Sequence, residues 1–300
     1  MAFVHGKNTK VFYNGYDLSS YLNAISIARS AEQADTTTFG ATYKTFVAGF
    51  TDATVTLGGY YDGDAGAIDA LLAASLGSDT PGVLTFSTQT ADAVGDIAYQ
   101  ASAKTTSYEV TSSLTEAVSI SAEIQCSGQV DRAVVLHAHE AETSTAADAS
   151  VDNGASSTNA IAHLHVTAAS ADDTLDVIIE DSPDDANWST LGTFAQITAV
   201  GSERLTITDT VARYVRASWT IAGSSPSFTF TVTLGRTVDM TAVSASLSPS
   251  SSPSLSASAS ESPSASQSPS ASTSPSSSSS ASQSPSSSVS PSASASPSTP

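Results

Sequence analysis

The sequence has one cysteine, Cys126, among 300 residues, and no run of apolar residues long enough to cross a bilayer. A single cysteine excludes an internal disulfide. Basic residues are also scarce, because 10 Lys and Arg stand against 29 Asp and Glu and give a formal net charge of −19. The basic residues form no cluster, which argues against binding to a phosphate backbone. The first residues lack the apolar middle of a secretory signal, so we expect a protein made in a cytoplasm.

Motifs that carry chemistry are missing as well. We find no Gly-x-Ser-x-Gly elbow, no glycine-rich loop with a lysine and no Asp-x-Asp-x-Asp-Gly calcium loop. Strand alternation places Cys126 on an apolar face, where a lone thiol is buried and unreactive. We therefore expect no enzyme, no catalytic residue and no cofactor.

The last sixty residues have little that could form a core. Ser, Pro and Ala dominate after Met240, and this part holds nine of the 12 prolines and one charged residue, Glu261. Ordering such a segment would cost about 1–2 kcal/mol of backbone entropy per residue with no apolar burial to offset it. We predict that residues 239–300 form a disordered tail and that residues 1–238 fold.

The first 140 residues show mainly β patterns with one helix. Ala53, Val55 and Leu57 alternate with threonines, as expected for a strand with one buried face. A second alternating set shares a face in the segment EAVSISAEIQCSG: Val118, Ile120, Ala122, Ile124 and Cys126.

The helix is predicted in the segment GDAGAIDALLAASLGSD. Its apolar residues recur at helical spacing: Ile68, Leu71, Leu72 and Leu76. Asp64 is the predicted N-cap, and Gly77 is predicted to end the helix.

Residues 141–158 are small, polar and aperiodic, which is typical of a linker. A new β pattern follows over residues 159–238. It contains six short alternating segments: AIAHLHVTA, TLDVIIEDS, FAQITA, ERLTITD, RYVRASWTI and SFTFTVTLG. In the last segment Phe228, Phe230, Val232 and Leu234 share one face. These segments predict a β-sandwich of about 85 residues, of immunoglobulin-like or jelly-roll-like type.

Four of the five histidines occur as two His-x-His pairs, His137 with His139 and His163 with His165. Because strand side chains alternate, both rings of a pair should point to one face. Four such imidazoles would suit a zinc ion, but their spacing matches no compact zinc pattern. Leu164 and Val166 supply the core-facing side of their strand. We therefore expect histidines that face solvent or an interface, and no metal site.

The two tryptophans differ in context. Trp219 alternates with Val215, Ala217 and Ile221 and so belongs to a core, whereas Trp188 follows the turn SPDDAN and is expected at the surface. An exposed tryptophan can stack on a sugar. An adhesin that binds cell-surface glycans through the second sandwich is therefore the alternative function.

The stretch YDLSSYLNAISIARSAEQADTTTFGATYKTFVAGFTDATVTLGGYYDGD, residues 16–64, resembles the tail tube proteins, or major tail proteins, of long-tailed bacteriophages. The resemblance lies in an ordered series: TKVFYNGYDLSSYL, DTTTFG, TYKTFVAGF, ATVTLGGYYDG and then the helix. It extends over roughly residues 1–140.

That resemblance implies a fold and a function. The first domain, residues 1–140, would be a small β-sandwich or half-barrel with one flanking helix. Six copies would close into a ring, and stacked rings would form the tail tube through which DNA passes. The long loop around residues 34–49 would reach the neighbouring ring. An acidic lumen would let the genome slide without sticking.

The partners implied are other copies of the chain and other tail proteins, with no membrane, and the location implied is the tail of the virion. The second domain, residues 159–238, resembles the β-sandwich additions that tail proteins carry outside the tube. We therefore expect it to be a decoration on the tube surface.

Overall fold

The computed structural model describes residues 6–64, 66–88 and 93–236, and this part of the chain is mainly β. The predicted tail, 239–300, lies outside these residues. One short 3-10 turn, Gly6–Asn8, precedes the first strand, and the one α-helix of the described part is α1, Ile68–Ser75. The strands in chain order are β1 Lys10–Tyr13, β2 Tyr16–Asp17, β3 Leu22–Asp35, β4 Phe46–Tyr60, β5 Gly82–Ser87, β6 Ile97–Thr111, β7 Ser119–Cys126, β8 Asp131–Glu142, β9 Ala146–Ala147, β10 Val151–Asp152, β11 Ser157–Ala169, β12 Thr174–Ser182, β13 Ser189–Thr193, β14 Gly201–Val211, β15 Tyr214–Ala222 and β16 Phe228–Arg236.

These strands form two sheets. The larger has 11 strands in the order β14-β11-β16-β8-β6-β5-β1-β2, and β7, β4 and β3 extend it from β6. It curls into a half-barrel, so that the β1–β2 turn and β5 lie against the outer face of β11. The smaller sheet has five strands, in the order β10-β15-β12-β13 with β9 also on β15. No helix among the described residues is long and apolar enough to cross a membrane.

The first core lies inside the half-barrel. Its members include both alternating sets predicted from the sequence except Val118, which lies just before β7 and is half-buried. Val55, Leu57 and Ile124 are completely buried. From one side α1 adds Ile68 and Leu72. The predicted strand faces in this half of the chain are therefore confirmed.

The helix is where the sequence places it, but its first turn differs from the prediction. The N-cap is Ala67, with no side-chain cap, and Asp64 contributes only its carbonyl oxygen, 3.0 Å from the Ala67 amide. The prediction of a capping Asp64 side chain is wrong. At the other end Gly77 follows the C-cap with φ +71°, a conformation that glycine adopts without steric cost.

The second core lies between the two sheets in the second half of the chain. Phe228, Phe230, Val232 and Leu234 all point into it, and Trp219 joins them from β15. These predicted faces are confirmed, and the arrangement is a β-sandwich.

One of the six predicted strands in this half is wrong. FAQITA is not a strand, because β13 lies just before it and only single backbone contacts follow. The Phe194 amide, for example, bonds the Val177 carbonyl oxygen at 3.0 Å.

Strand β8 crosses the predicted domain boundary at residue 140. It pairs with β6 in the first half of the chain and with β16 in the second, so one sheet runs through both halves. Two short strands, β9 and β10, lie within the predicted linker, 141–158. The division into domains at these positions stays a prediction.

Candidate functional site

Strands β3 and β4 form a long antiparallel hairpin whose outer half stands clear of the core. Every residue from 28 to 52 is exposed, and we call this span the arm. Strand pairing continues outward to Asp35 opposite Phe46, past a bulge after Ala31. The region predicted as a loop, 34–49, therefore holds a ten-residue loop, 36–45, with paired strand at both of its ends. The extra pairing gives the arm a defined shape.

The arm carries large apolar side chains in open solvent. The exposed fractions are 109% for Phe39, 84% for Phe50 and 83% for Tyr43, and Phe46 and Val47 are more than half exposed. Burying apolar surface gains about 25 cal/mol per Å², so such a group is costly to leave in water. Clustered exposed apolar residues of this kind mark interaction surfaces.

A second exposed apolar group lies at the opposite end of β4. Tyr60 pairs with Ser119, which places the turn between β6 and β7 at the end away from the arm tip. Leu114 in that turn is fully exposed, and Val110, Tyr60 and Tyr61 are each more than 40% exposed. We call these four residues the distal patch.

Two of the open strand edges in the described part of the chain border the portion of the large sheet formed by β3, β4, β7 and β6. Strand β3 pairs with β4 alone, so its other edge is open along its whole length. Strand β6 is flanked on both sides as far as Ala103, but residues 106–111 pair only with β7. Open edges present unsatisfied amides and carbonyls to other chains.

Between these edges, β3, β4, β7 and β6 present one polar face away from the core. Ser26, Thr56, Glu123 and Ser107 lie side by side across it and are all exposed. The next row includes Glu109, opposite Ser121. Two exposed carboxylates therefore stand among small hydroxyl-bearing side chains.

The histidines of β11 lie in a buried layer. His163 and His165 are 1% and 0% exposed, on the face opposite Leu164 and Val166. Both hydrogen-bond to the Thr85 hydroxyl, through Nδ1 of His163 and Nε2 of His165, each at 3.0 Å. The face is as predicted, but solvent exposure is wrong, because the curl of the sheet lays β5 over these rings.

Burial fixes the charge state of these rings. Desolvation lowers the pKa of His165 to about 3 and holds the pKa of His163 well below its ordinary value. His139 packs on Phe12, with ring centroids 4.8 Å apart, and burial lowers its pKa despite the nearby carboxylate of Asp17. The layer is therefore neutral at pH 7.

Other polar groups complete the layer and join the two halves of the chain. The Thr233 hydroxyl donates to Oε1 of Gln100 at 2.8 Å, and Nε2 of Gln100 donates to the Ile161 carbonyl oxygen at 2.7 Å. The Gly15 amide, in the turn between β1 and β2, faces Nδ1 of His165 at 3.4 Å. Gln100, Thr233 and Gly15 belong to no chemical motif, and the sequence does not predict their place in this layer.

His137 points elsewhere. Bulges in the pairing of β8 with β16 interrupt the alternation on either side of this residue. Its ring lies in the second core, with centroids 4.1 Å from Phe230 and 4.5 Å from Trp219. The prediction that His137 and His139 share a face is wrong, because a bulge shifts the two-residue period. The four imidazoles therefore do not converge on one point.

Asp148 holds His137 in place, with Nδ1 of the ring 2.8 Å from Oδ2. The potential ligand atoms of His137, Glu140 and Asp148 all lie within 4.8 Å of one another. Sequence spacing did not suggest this group, because Asp148 lies in the predicted linker.

Two further predicted residues can be placed. Trp188 is half-buried, and the Arg216 guanidinium lies 4.1 Å from the centre of its ring while also pairing with Glu180 at 2.8 Å. One face of the indole that a sugar could use is therefore occupied. Cys126 is buried as predicted, and burial raises the pKa of its thiol.

No protein-family model matches the sequence, and no curated protein does. Several solved structures resemble parts of the fold. The tail of an empty gene transfer agent particle, determined with C6 symmetry, is 15% identical with a TM-score of 0.35, over 43% of this chain and 98% of that chain. The SPP1 tail tube protein is 14% identical with a TM-score of 0.36, over 42% of this chain and 77% of that chain.

The Dit protein of SPP1, from the hub of the adsorption apparatus, is 13% identical with a TM-score of 0.32, over 77% of this chain and 99% of that chain. Tail tube proteins, which the sequence resembles, are thus also among the structures that the fold resembles. At these identities and TM-scores the similarity establishes neither the family nor the function of the chain.

Proposed function

We propose that this chain is a structural subunit of a phage tail tube, which assembles with copies of itself and has no catalytic role. The observation that carries the proposal is the arm, with Phe39, Tyr43 and Phe50 more than 80% exposed on an ordered hairpin. In a monomer, aromatic rings exposed on this hairpin contribute no free energy of apolar burial. A second copy that covers them would recover the free energy of apolar burial.

Ring closure follows from the open edges. The free edge of β3 in one copy pairs with residues 106–111 of β6 in the next, which extends the sheet from subunit to subunit. Pairing across copies satisfies backbone groups that would otherwise attract uncontrolled aggregation. The tail tube resemblance in the sequence implies six copies in each ring.

Stacking follows from the positions of the two apolar surfaces. The arm tip and the distal patch lie at opposite ends of β4, so an arm that docks on the distal patch of the next ring makes a head-to-tail contact. Contacts of this type repeat without closing on themselves and build a filament. The tube therefore grows along the direction of the arm.

The polar face of β3, β4, β7 and β6 lines the lumen in this arrangement. Glu109 and Glu123 then face the passing DNA, and their charge repels the phosphate backbone. Small hydroxyl-bearing neighbours such as Ser26 and Thr56 add no charge, and the half-buried Lys104, opposite Gln125, is a basic side chain on this face. The second sandwich lies on the outside as a decoration, and the protein belongs to the tail of the virion.

The proposal is tested by electron microscopy of the purified full chain. We expect negative-stain images with rings or hollow tubes of uniform width. The double substitution Phe39→Ser with Phe50→Ser should abolish tubes while far-UV circular dichroism stays unchanged. Val200→Ser is the matched control, since Val200 is 49% exposed in the second sandwich, and it should assemble normally. A wild-type protein that stays monomeric at high concentration would contradict the proposal.

A further inference from the structure

The group formed by His137, Glu140 and Asp148 lies at the margin of the second sandwich, away from the arm and the open edges. His137 and Glu140 come from the bulged part of β8, and Asp148 comes from the segment between β9 and β10. The Asp148 amide bonds the Ala217 carbonyl oxygen at 3.0 Å, which anchors this segment to β15. Two separate parts of the chain therefore present side chains to one point.

The imidazole is already fixed in a single orientation. His137 is completely buried, its ring is stacked on Phe230, and Trp219 lies against it. Nδ1 faces the Asp148 carboxylate, whereas Nε2 is buried with no hydrogen-bond partner. Nδ1 is therefore the ring nitrogen that faces polar groups and would bind a metal ion. A ligand held in place by packing loses little entropy when a metal binds.

The surrounding charge favours a cation. Among the described residues no Lys or Arg forms a salt bridge with Glu140, Glu142 or Asp148. Glu142 is close enough for its carboxylate to interact with those of Glu140 and Asp148. Two carboxylates thus lie within 4.8 Å of one imidazole nitrogen, and a third, that of Glu142, adds negative charge near them.

We infer that His137, Glu140 and Asp148 bind a divalent transition-metal ion of the zinc class. One imidazole with two or three carboxylates is a nitrogen and oxygen donor set that suits Zn²⁺, whereas Ca²⁺ and Mg²⁺ prefer oxygen donors alone. Water would supply the fourth position. This site shares only His137 with the four-histidine arrangement that the sequence spacing argued against.

The geometry requires a small contraction. Bonds of about 2.1 Å in a tetrahedral site place ligand atoms roughly 3.4 Å apart. The three ligand atoms lie within 4.8 Å of one another, so the outermost must move inward, whereas Nδ1 of His137 and Oδ2 of Asp148, now 2.8 Å apart, must separate slightly. Glu140 is exposed and can move, while buried His137 stays fixed. A bound ion would then cross-link the β9–β10 segment to β8 beside Trp219.

Isothermal titration of the full chain with ZnCl₂ at neutral pH tests the inference. We expect one ion per chain in the wild type. Glu140→Gln should weaken binding at least about tenfold, because it removes one ligand charge without disturbing the core. Glu116→Gln, an exposed acid in the turn between β6 and β7, is the matched control and should bind as the wild type does.

Thermal unfolding supplies a second readout. Saturating Zn²⁺ should raise the Tm of the wild type and of Glu116→Gln, and it should leave the Tm of Glu140→Gln nearly unchanged, because a ligand that binds only the folded state stabilises it. The inference is overturned if the wild type takes up no zinc. It is also overturned if Glu140→Gln binds zinc as tightly as the wild type, since the ion would then lie at other histidines.

Discussion

The arm exposes its large side chains to solvent, whereas the buried polar layer around His163 and His165 excludes solvent. The arm holds Phe39 and Phe50 in water on a hairpin, whereas the layer holds His163, His165 and Thr233 at 2% exposure or less. Side chains of the layer bond partners from the other half of the chain, such as Thr85 and Gln100, although Nε2 of His163 has no hydrogen-bond partner. The layer is complete within one chain, and the arm is not.

This difference separates two kinds of interaction. Contacts of the layer exist in a single copy, so changes there should act on the free energy of unfolding. Contacts of the arm form only between copies under the proposed assembly, so changes there should act on association. The four predictions below follow this division from the largest expected effect on folding stability to the smallest.

Acid should destabilise the fold through the layer. The pKa of His165 is about 3 in the folded chain and 6.5 in its ordinary state, so between these values the unfolded chain binds a proton that the folded chain excludes. Stability from this ring is complete above pH 6.5 and is lost as the pH falls towards 3. Since one pKa unit corresponds to about 1.4 kcal/mol, the loss is on the order of 4–5 kcal/mol.

Urea unfolding at a series of pH values between 7 and 3 measures this loss. Phe50→Ser in the arm should leave the pH dependence unchanged, and His165→Gln should reduce it without removing it, because burial also holds the pKa of His163 low. A stability of the wild type that does not vary across this window would contradict the burial of the ring in its neutral form.

Gly15→Ala should have the next largest effect on the free energy of unfolding. Gly15 has φ +85°, and an added Cβ would lie 2.5 Å from the backbone of Gly201. Left-handed backbone costs roughly 1–2 kcal/mol for a residue with a Cβ, and overpacking adds roughly 1–3 kcal/mol. We expect the free energy of unfolding, measured by chemical denaturation, to fall by about 2–5 kcal/mol.

Gly40→Ala in the arm is the matched control for Gly15→Ala. Its φ is +86°, but nothing lies within 4 Å of the added Cβ. Gly40→Ala should therefore lower the free energy of unfolding only by the cost of left-handed backbone, about 1–2 kcal/mol. Equal losses at the two glycines would show that the turn between β1 and β2 does not pack on Gly201 as described.

Thr233→Val should lower the free energy of unfolding by less than Gly15→Ala does. The substitution keeps the shape but leaves Oε1 of Gln100 without the hydroxyl that now donates to it at 2.8 Å. A buried acceptor left unpaired costs about 1–3 kcal/mol. Thr36→Val removes a hydroxyl contact of 3.2 Å at the exposed arm tip and should change the unfolding free energy by less than about 0.5 kcal/mol. Similar losses in the two variants would contradict the contrast between the layer and the arm.

Sequence periodicity predicts well which side chains share a face of a strand. It predicts poorly which other element packs on that face. Alternation correctly placed Val55 and Leu57 in the first core and Phe230 in the second. It also placed His163 opposite Leu164, but it could not show that β5 packs over that ring, since this depends on the curl of the sheet. His137 was misplaced for a local reason, because a bulge is not visible in a two-residue period.

The candidate site was predicted in part. The resemblance pointed to residues 34–49 as a contact region, and Phe39, Tyr43 and Phe46 lie there on the arm. Their exposure could not be read from the sequence, because aromatic residues in an alternating strand are more often buried. Gln100 and Gly15 gain their roles from pairings of distant strands. The Asn-Gly pair at 14 and 15 was an available signal for a tight hairpin turn.

Phe50→Ser should have the smallest effect on folding and a large effect on assembly. The Phe50 side chain is 84% exposed, so its removal changes little of the surface that one chain buries on folding. We expect the free energy of unfolding of the monomer to stay within about 0.5 kcal/mol of the wild type.

Sedimentation velocity over a range of concentrations should show association of the Phe50→Ser variant shifted to higher concentration. A single aromatic anchor at an interface is worth about 2 kcal/mol or more, which corresponds to at least a tenfold change. Thr233→Val should show the reverse pattern, with lower stability and unchanged association of the folded protein. If both variants changed stability and association together, the arm and the layer would act as one unit, and the arm would need a role within the single chain.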